Sequence, residues 1–284
     1  MIVFRIAALI LTCLAFVVLT QDLQLFPVAA ASLLPRSLQR PTVVPPRVKS
    51  SFIETEDGKR LEVWRLPAAE GVPPVPYVGP VFHGNGDSLD GFFFLHQWFS
   101  KLGMVSYGFD YRGYGRSSGW PSELGLVRDA DAVWDYVITQ ERAEPSQMVV
   151  FGYSIGAAPA ARIASLHDVK LLILESAFTD VRQTIREQPL VRFLAAFAWY
   201  RLPTSEFVSQ LQATDLILAH GQKDTLVLPY HCDKLRERYR GSGSVEKITS
   251  VEAGHNDLFF DIRDRLTAAV RRSLAIDETD ERAE

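Results

Sequence analysis

What most constrains this chain is a repeated alternation that begins near residue 50. Strand-like runs of four to six residues end at turn residues and are separated by stretches long enough for a helix. The runs are Tyr77–Phe82 before His83-Gly84, Met104–Phe109 before Asp110, and Met148–Phe151 before Gly152. Leu171–Leu174 before Glu175, Leu216–Ala219 before His220-Gly221, and Glu246–Val251 before Gly254-His255 complete the set. Phe52–Thr55 and Arg60–Leu66, on either side of Asp57-Gly58, predict an opening hairpin. Between runs, Leu126, Val127, Ala130, Val133, Trp134, Val137 and Ile138 fit one apolar helical face. Short strands alternating with helices imply a mainly parallel sheet covered on both faces, an α/β fold with functional residues at the C-terminal strand ends. Pro80 conflicts with its strand, because proline removes a ladder donor.

With 284 residues, 47% of them hydrophobic, the chain can bury one large core. Net charge is −4 overall and −8 over residues 51–284, which offers no electrostatic footprint for nucleic acid. The two cysteines, Cys13 and Cys232, are too far apart in context to suggest a structural disulfide.

The first 20 residues stand apart. Ile6–Leu19 is a run of 14 mostly aliphatic residues, short for a full membrane span unless Met1 to Thr20 is counted with Arg5 snorkelling. We expect residues 1–20 to form a hydrophobic helix retained as a single membrane anchor. The alternatives are secretion after cleavage near Ala29-Ala30-Ala31 and an interfacial helix. Basic residues on both sides leave orientation open. Residues 21–49 read as a Pro-rich basic linker, 50–275 as the catalytic domain and 276–284 as an acidic tail.

Two segments match Gly-x-Ser-x-Gly, the pattern of a nucleophile elbow. An elbow needs a strand running into the serine and a helix leaving it. Gly152-Tyr153-Ser154-Ile155-Gly156 has both, with Met148–Phe151 before it and Ala157-Ala158-Pro159-Ala160-Ala161 after it. Gly115-Arg116-Ser117-Ser118-Gly119 lies past a strand end and runs into Trp120-Pro121, so it reads as a loop. Ser154 is the candidate nucleophile.

A serine hydroxyl needs an imidazole to take its proton and a carboxylate to orient that imidazole. Six histidines compete. His96 and His167 fall in helical stretches, His231 opens one, and turn geometry alone explains His83 and His220. His255 follows the last strand directly in Gly254-His255-Asn256-Asp257 and is the candidate base; a helix-capping turn is the plainer explanation of the same residues. Asp224, just past the preceding strand, is the candidate acid, with Glu175 and Asp180 next in line. Backbone N–H groups of Ile155 and Asn85 would form the oxyanion hole. Residues 177–214 occupy a lid position, where Phe193, Leu194, Phe197, Trp199 and Tyr200 could line an acyl pocket or, for most of them, pack on the sheet. Phe92-Phe93-Phe94 carries the same choice.

His83-Gly84-Asn85-Gly86, Phe109-Asp110-Tyr111-Arg112-Gly113-Tyr114-Gly115, Gly152–Gly156, Leu174-Glu175-Ser176 and Gly254–Asp257 together resemble the membrane-anchored alpha/beta-hydrolase domain proteins. These are related to serine aminopeptidase-like hydrolases and to some protein depalmitoylases. Leu25-Phe26-Pro27 after the anchor resembles them too, whereas Gly86 and Pro80 depart from the pattern. The resemblance covers roughly residues 50–275. It implies ester or thioester hydrolysis without a cofactor. The order Ser154, Asp224, His255 matches the chain order of triads in the α/β-hydrolase fold, and we expect an eight-stranded-type sheet, no metal and a monomer. The peptidase and a catalytically dead binding protein are the competing functions.

Overall fold

The structure is a computed structural model that describes residues 43–189 and 192–276, together with Phe4–Ile6, Thr12, Ala15–Phe16 and Leu19–Pro27. The cleavage candidate Ala29–Ala31, residues 28–42 of the linker, most of Ile6–Leu19 and the tail from Asp277 lie outside the described residues. Among the described residues no helix is long and apolar enough to cross a membrane.

Eight strands form one sheet in the order β1-β2-β4-β3-β5-β6-β7-β8. They are β1 Lys49–Glu54, β2 Arg60–Leu66, β3 Val78–Phe82, β4 Val105–Phe109, β5 Val149–Tyr153, β6 Leu171–Glu175, β7 Asp215–Gly221 and β8 Val245–Ser250. The hairpin β1–β2 is antiparallel and joins antiparallel to β4; every other pairing is parallel. In β3, β5 and β6 nearly every residue is buried, as expected of strands covered on both faces.

Pro80 is accommodated by interrupting one ladder. Pairing of β3 with β4 runs straight through Pro80↔Tyr107. Against β5 it lapses between the lone bridge Val78↔Met148 and the pair Val81↔Phe151. The missing N–H therefore falls where the β5 ladder is already open.

Eight helices of the described residues are used below: α1 Gln21–Leu25, α2 Phe93–Lys101, α3 Glu123–Glu141, α4 Ala157–His167, α5 Val181–Glu187, α6 Thr204–Val208, α7 Tyr230–Arg238 and α8 Leu258–Leu274. Helices α2 and α8 cover one face, where Trp98, Phe99, Phe151, Ile217 and Leu266 share a core. On the other face α3 and α4 pack Leu126, Val133, Trp134 and Ile163 against Val150, Leu172 and Leu218. Helix α3 starts at Ser122, whose side chain accepts from Gly125 N at 3.0 Å and so satisfies one orphan donor of the first turn. Behind the motif 109–115, the buried Arg112 joins two elements to the sheet. Its Nε donates to Asp129 on α3 at 2.8 Å and its Nη1 to Asp57 in the hairpin turn at 2.9 Å.

Candidate active site

Strand β5 runs directly into Ser154, and α4 leaves three residues later. At the reversal Ser154 takes φ +53°, a left-handed conformation that costs a non-glycine residue about 1 kcal/mol or more and projects the side chain out of the turn. The flanking glycines are dictated by space. A Cβ on Gly156 would lie 2.2 Å from the carbonyl oxygen of Phe82, and one on Gly152 would lie 2.6 Å from the Cβ of Ala160. Helix and strand could not pack this tightly otherwise.

The three candidate residues meet although they are far apart in sequence. His255 Nε2 is 3.0 Å from Ser154 Oγ, and His255 Nδ1 is 2.7 Å from Asp224 Oδ2. Asp224 is fixed by its own loop after β7, where its Oδ1 accepts from Leu226 N at 2.9 Å and Val227 N at 2.8 Å. Burial would raise its carboxyl; hydrogen bonds from His220, His255 and the Val227 backbone outweigh burial and hold it well below the usual carboxylate range. His220 Nε2 lies 2.9 Å from Val227 O and 3.3 Å from Asp224 Oδ2, so this turn histidine supports the acid from beneath.

The His255 loop has supports that single motifs do not display. Tyr153, the variable residue of the elbow, donates its hydroxyl to His255 O at 2.9 Å and to Asn256 Oδ1 at 3.0 Å. Asp257 occupies the cap position of α8, yet its Oδ1 accepts from Gly254 N at 2.8 Å and makes no cap bond. Asn256 and Asp257 thus hold the loop rather than the helix end.

The other histidines are engaged elsewhere. His83 is buried, its Nδ1 bound to Gly84 O at 2.7 Å, and burial depresses its pKa to about 4, leaving a neutral ring stacked on Phe92. His96 meets Ser106 Oγ at 2.7 Å, His231 lies between Thr179 and Glu187, and His167 stacks on Trp134.

A cavity of about 500 Å³ opens over Ser154 and His255. Phe92, Phe94, Leu95 and Phe259 give it an apolar wall, and Asn85 and Gly86 lie on its rim. Asn85, expected as the second oxyanion donor, is among the residues that line this cavity, and Ile155 lies in the Ser154–Gly156 turn that leads into α4, where helix-start N–H groups lack intrahelical acceptors. Glu175 also lines the cavity. Its Oε2 is buried with no hydrogen-bond partner among the described residues, and burial pushes its pKa up to about 8. Of the lid aromatics, Tyr200 is buried but Phe193, Phe197 and Trp199 are exposed, contrary to the expectation that most would pack on the sheet.

The profile of the serine aminopeptidase S33 family (Hydrolase_4) matches residues 80–258. The uncharacterized protein YfhR of Escherichia coli K12 is 28% identical over 216 residues, 72% of this chain and 72% of its own. An uncharacterized protein of Mycobacterium tuberculosis H37Rv is 31% identical over 221 residues, 75% of this chain and 74% of its own. Mouse alpha/beta hydrolase domain-containing protein 17C is 30% identical over 167 residues, 56% of this chain and 48% of the mouse protein. In fold, an esterase of Pyrococcus furiosus superposes with TM-score 0.67 at 19% identity, covering 84% of this chain and 95% of its own. The lidless α/β serine hydrolase of Xanthomonas campestris gives TM-score 0.58 at 18% identity over 82% and 96%.

Proposed function

Because the chain belongs to the serine aminopeptidase S33 family and is an α/β-hydrolase, we propose that it cleaves carboxylic ester or thioester bonds through an acyl-enzyme on Ser154. The observation that carries this reading is the continuous relay Asp224–His255–Ser154, with spacings of 2.7 and 3.0 Å, at the floor of a cavity walled by apolar side chains. With His255 Nδ1–H donated to Asp224, Nε2 is free to take the Ser154 proton as Oγ attacks the acyl carbonyl. The N–H groups of Asn85 and Ile155 stabilise the oxyanion, a contribution of about a hundred- to a thousand-fold per donor. His255 then protonates the departing alcohol or thiol, and a water activated by the same imidazole releases the acid.

The apolar wall of Phe92, Phe94, Leu95 and Phe259 suits an acyl chain, which supports esters and thioesters over peptides. The family's aminopeptidase description keeps the amide reading as the rival, because the same relay cleaves amides. One assay separates them. Wild-type protein should label with a fluorophosphonate probe and turn over p-nitrophenyl esters or acyl thioesters faster than aminoacyl anilides. Faster anilide cleavage would make it a peptidase, and no labelling or turnover at all would make the fold a binding module. We place the protein at a membrane through residues 1–20. A high-salt wash that strips it, or a purified chain beginning near Ser32, would refute that placement.

A further inference from the structure

The segment Gln21–Pro27 was expected to be linker, yet it is built into the cavity. Phe26 is fully buried and packs edge-on against Tyr200 with ring centroids 5.7 Å apart, while Pro27 lines the cavity beside Ser154 and His255. On one side the segment holds the loop after β3. Asn85 donates its side-chain amide to the carbonyl of Leu25 and accepts the Tyr114 hydroxyl. On the other side it holds the turn before α6. Gln21 donates to Phe197 O at 2.9 Å and accepts from Trp199 N at 3.1 Å, and Asp22 accepts the Tyr200 hydroxyl and Trp120 Nε1 at 3.2 Å.

These bonds connect two loops that belong to distant parts of the chain, and the Leu25 carbonyl is the point at which the segment meets Asn85. Both ends of the Asn85 side chain are thus engaged, one by the segment and one by Tyr114. We propose that Gln21–Pro27 is a working wall of the catalytic cavity, a brace that positions Asn85 for the oxyanion and bounds the acyl site at Pro27. The proposal rests on the hydrolase reading above. Its residues are positioning residues: Asp22 and Phe26 seat the segment against Tyr200, and the segment reaches Asn85 through the Leu25 carbonyl, none of them touching the reacting atoms.

The test uses the full chain and three variants, Phe26→Ala, Phe26→Leu and Asp22→Asn. Active sites are counted with a fluorophosphonate, and kcat per labelled site is measured on p-nitrophenyl esters of rising acyl length. Phe26→Ala should lower kcat per site about ten- to a hundred-fold, the range for a slightly misplaced catalytic group. It should also shift the preferred acyl length upward as the wall opens. Phe26→Leu, which refills the space, should recover most of both, and Asp22→Asn should show a smaller fall of the same kind without emptying any core volume. If Phe26→Ala only lowers the number of labelled sites, with kcat per site and length preference unchanged, the segment is packing alone and the proposal is wrong. The same holds if Asp22→Asn and Phe26→Ala both behave as wild type. Wild-type protein that neither labels nor turns over any ester would overturn the hydrolase reading and this inference with it, an outcome visible before any variant is made.

Discussion

Residues 115–119 and 152–156 carry the same Gly-x-Ser-x-Gly pattern, and both central serines are 9% exposed, yet the physics of the two segments is inverted. In 115–119 the left-handed conformations fall on the glycines, Gly115 at φ +47° and Gly119 at φ +95°, where they cost little. In 152–156 it falls on the serine, and the glycines serve only to let strand, loop and helix approach. The hydroxyls differ as sharply. Ser117 Oγ accepts from Glu62 N at 2.9 Å and donates to Asp110 O at 2.7 Å, so both its capacities are spent tying the loop to β2 and to the end of β4. Ser154 Oγ has a single partner among the described residues, His255 Nε2. A motif is therefore separated from its imitation by where the strain sits and whether the hydroxyl is already spent on structure.

Four substitutions probe that contrast, beginning with the largest effect. Ser154→Ala should abolish probe labelling and lower turnover about a million-fold while the melting temperature stays near wild type; a labelled Ser154→Ala protein would place the nucleophile elsewhere. Asp224→Asn should keep the fold and cost about ten-thousand-fold in kcat, because the imidazole loses the acceptor that fixes its tautomer. Near-normal activity would shift the acid role to Glu175 or Asp180. Ser117→Ala should leave kcat per labelled site within about twofold but destabilise by about 1–3 kcal/mol, since the buried Glu62 N–H and Asp110 carbonyl each lose a partner. A denaturant melt without that loss would erase the structural half of the comparison.

The smallest effect concerns Glu175 and is read against pH. Its folded pKa, raised by burial to about 8, lies above the unfolded value, so the folded state holds its proton more tightly. Its contribution is fully present below about pH 4.3 and declines as pH rises through 8, at no more than about 1.4 kcal/mol per pH unit. Glu175→Gln, neutral throughout, should flatten that decline in a stability–pH series. An unchanged slope would mean that Glu175 is ionised in the fold.

Sequence reasoning reached the strands, and named three residues that the structure brings within hydrogen-bond distance, because both are local signals. A strand ending in Gly-Tyr-Ser, followed by small residues, has few other uses, and Asp224 and His255 sit directly after the last two strands. Pro80 could be flagged but not resolved, since which ladder it interrupts depends on the neighbours β4 and β5. The exposed Phe193, Phe197 and Trp199 could not be told from core aromatics, because composition shows what is apolar and not what covers it. The role of Ser117 depends on Glu62, 55 residues away, and that of Gln21 on Phe197, 176 residues away. No periodicity reports such pairings.

The brace also bears on how the chain is processed. Ala29-Ala30-Ala31 lies one residue beyond Pro27, so a peptidase cutting there would release Phe26, Asp22 and the carbonyl that holds Asn85 in one piece. A secreted form and a membrane-retained form would then differ in more than address. They would be two enzymes with differently shaped pockets made from one gene product, and maturation would set substrate range as well as destination. For the same reason a bulky tag fused close to residue 20 would stand beside the pocket, so recombinant protein is better marked at its C-terminus.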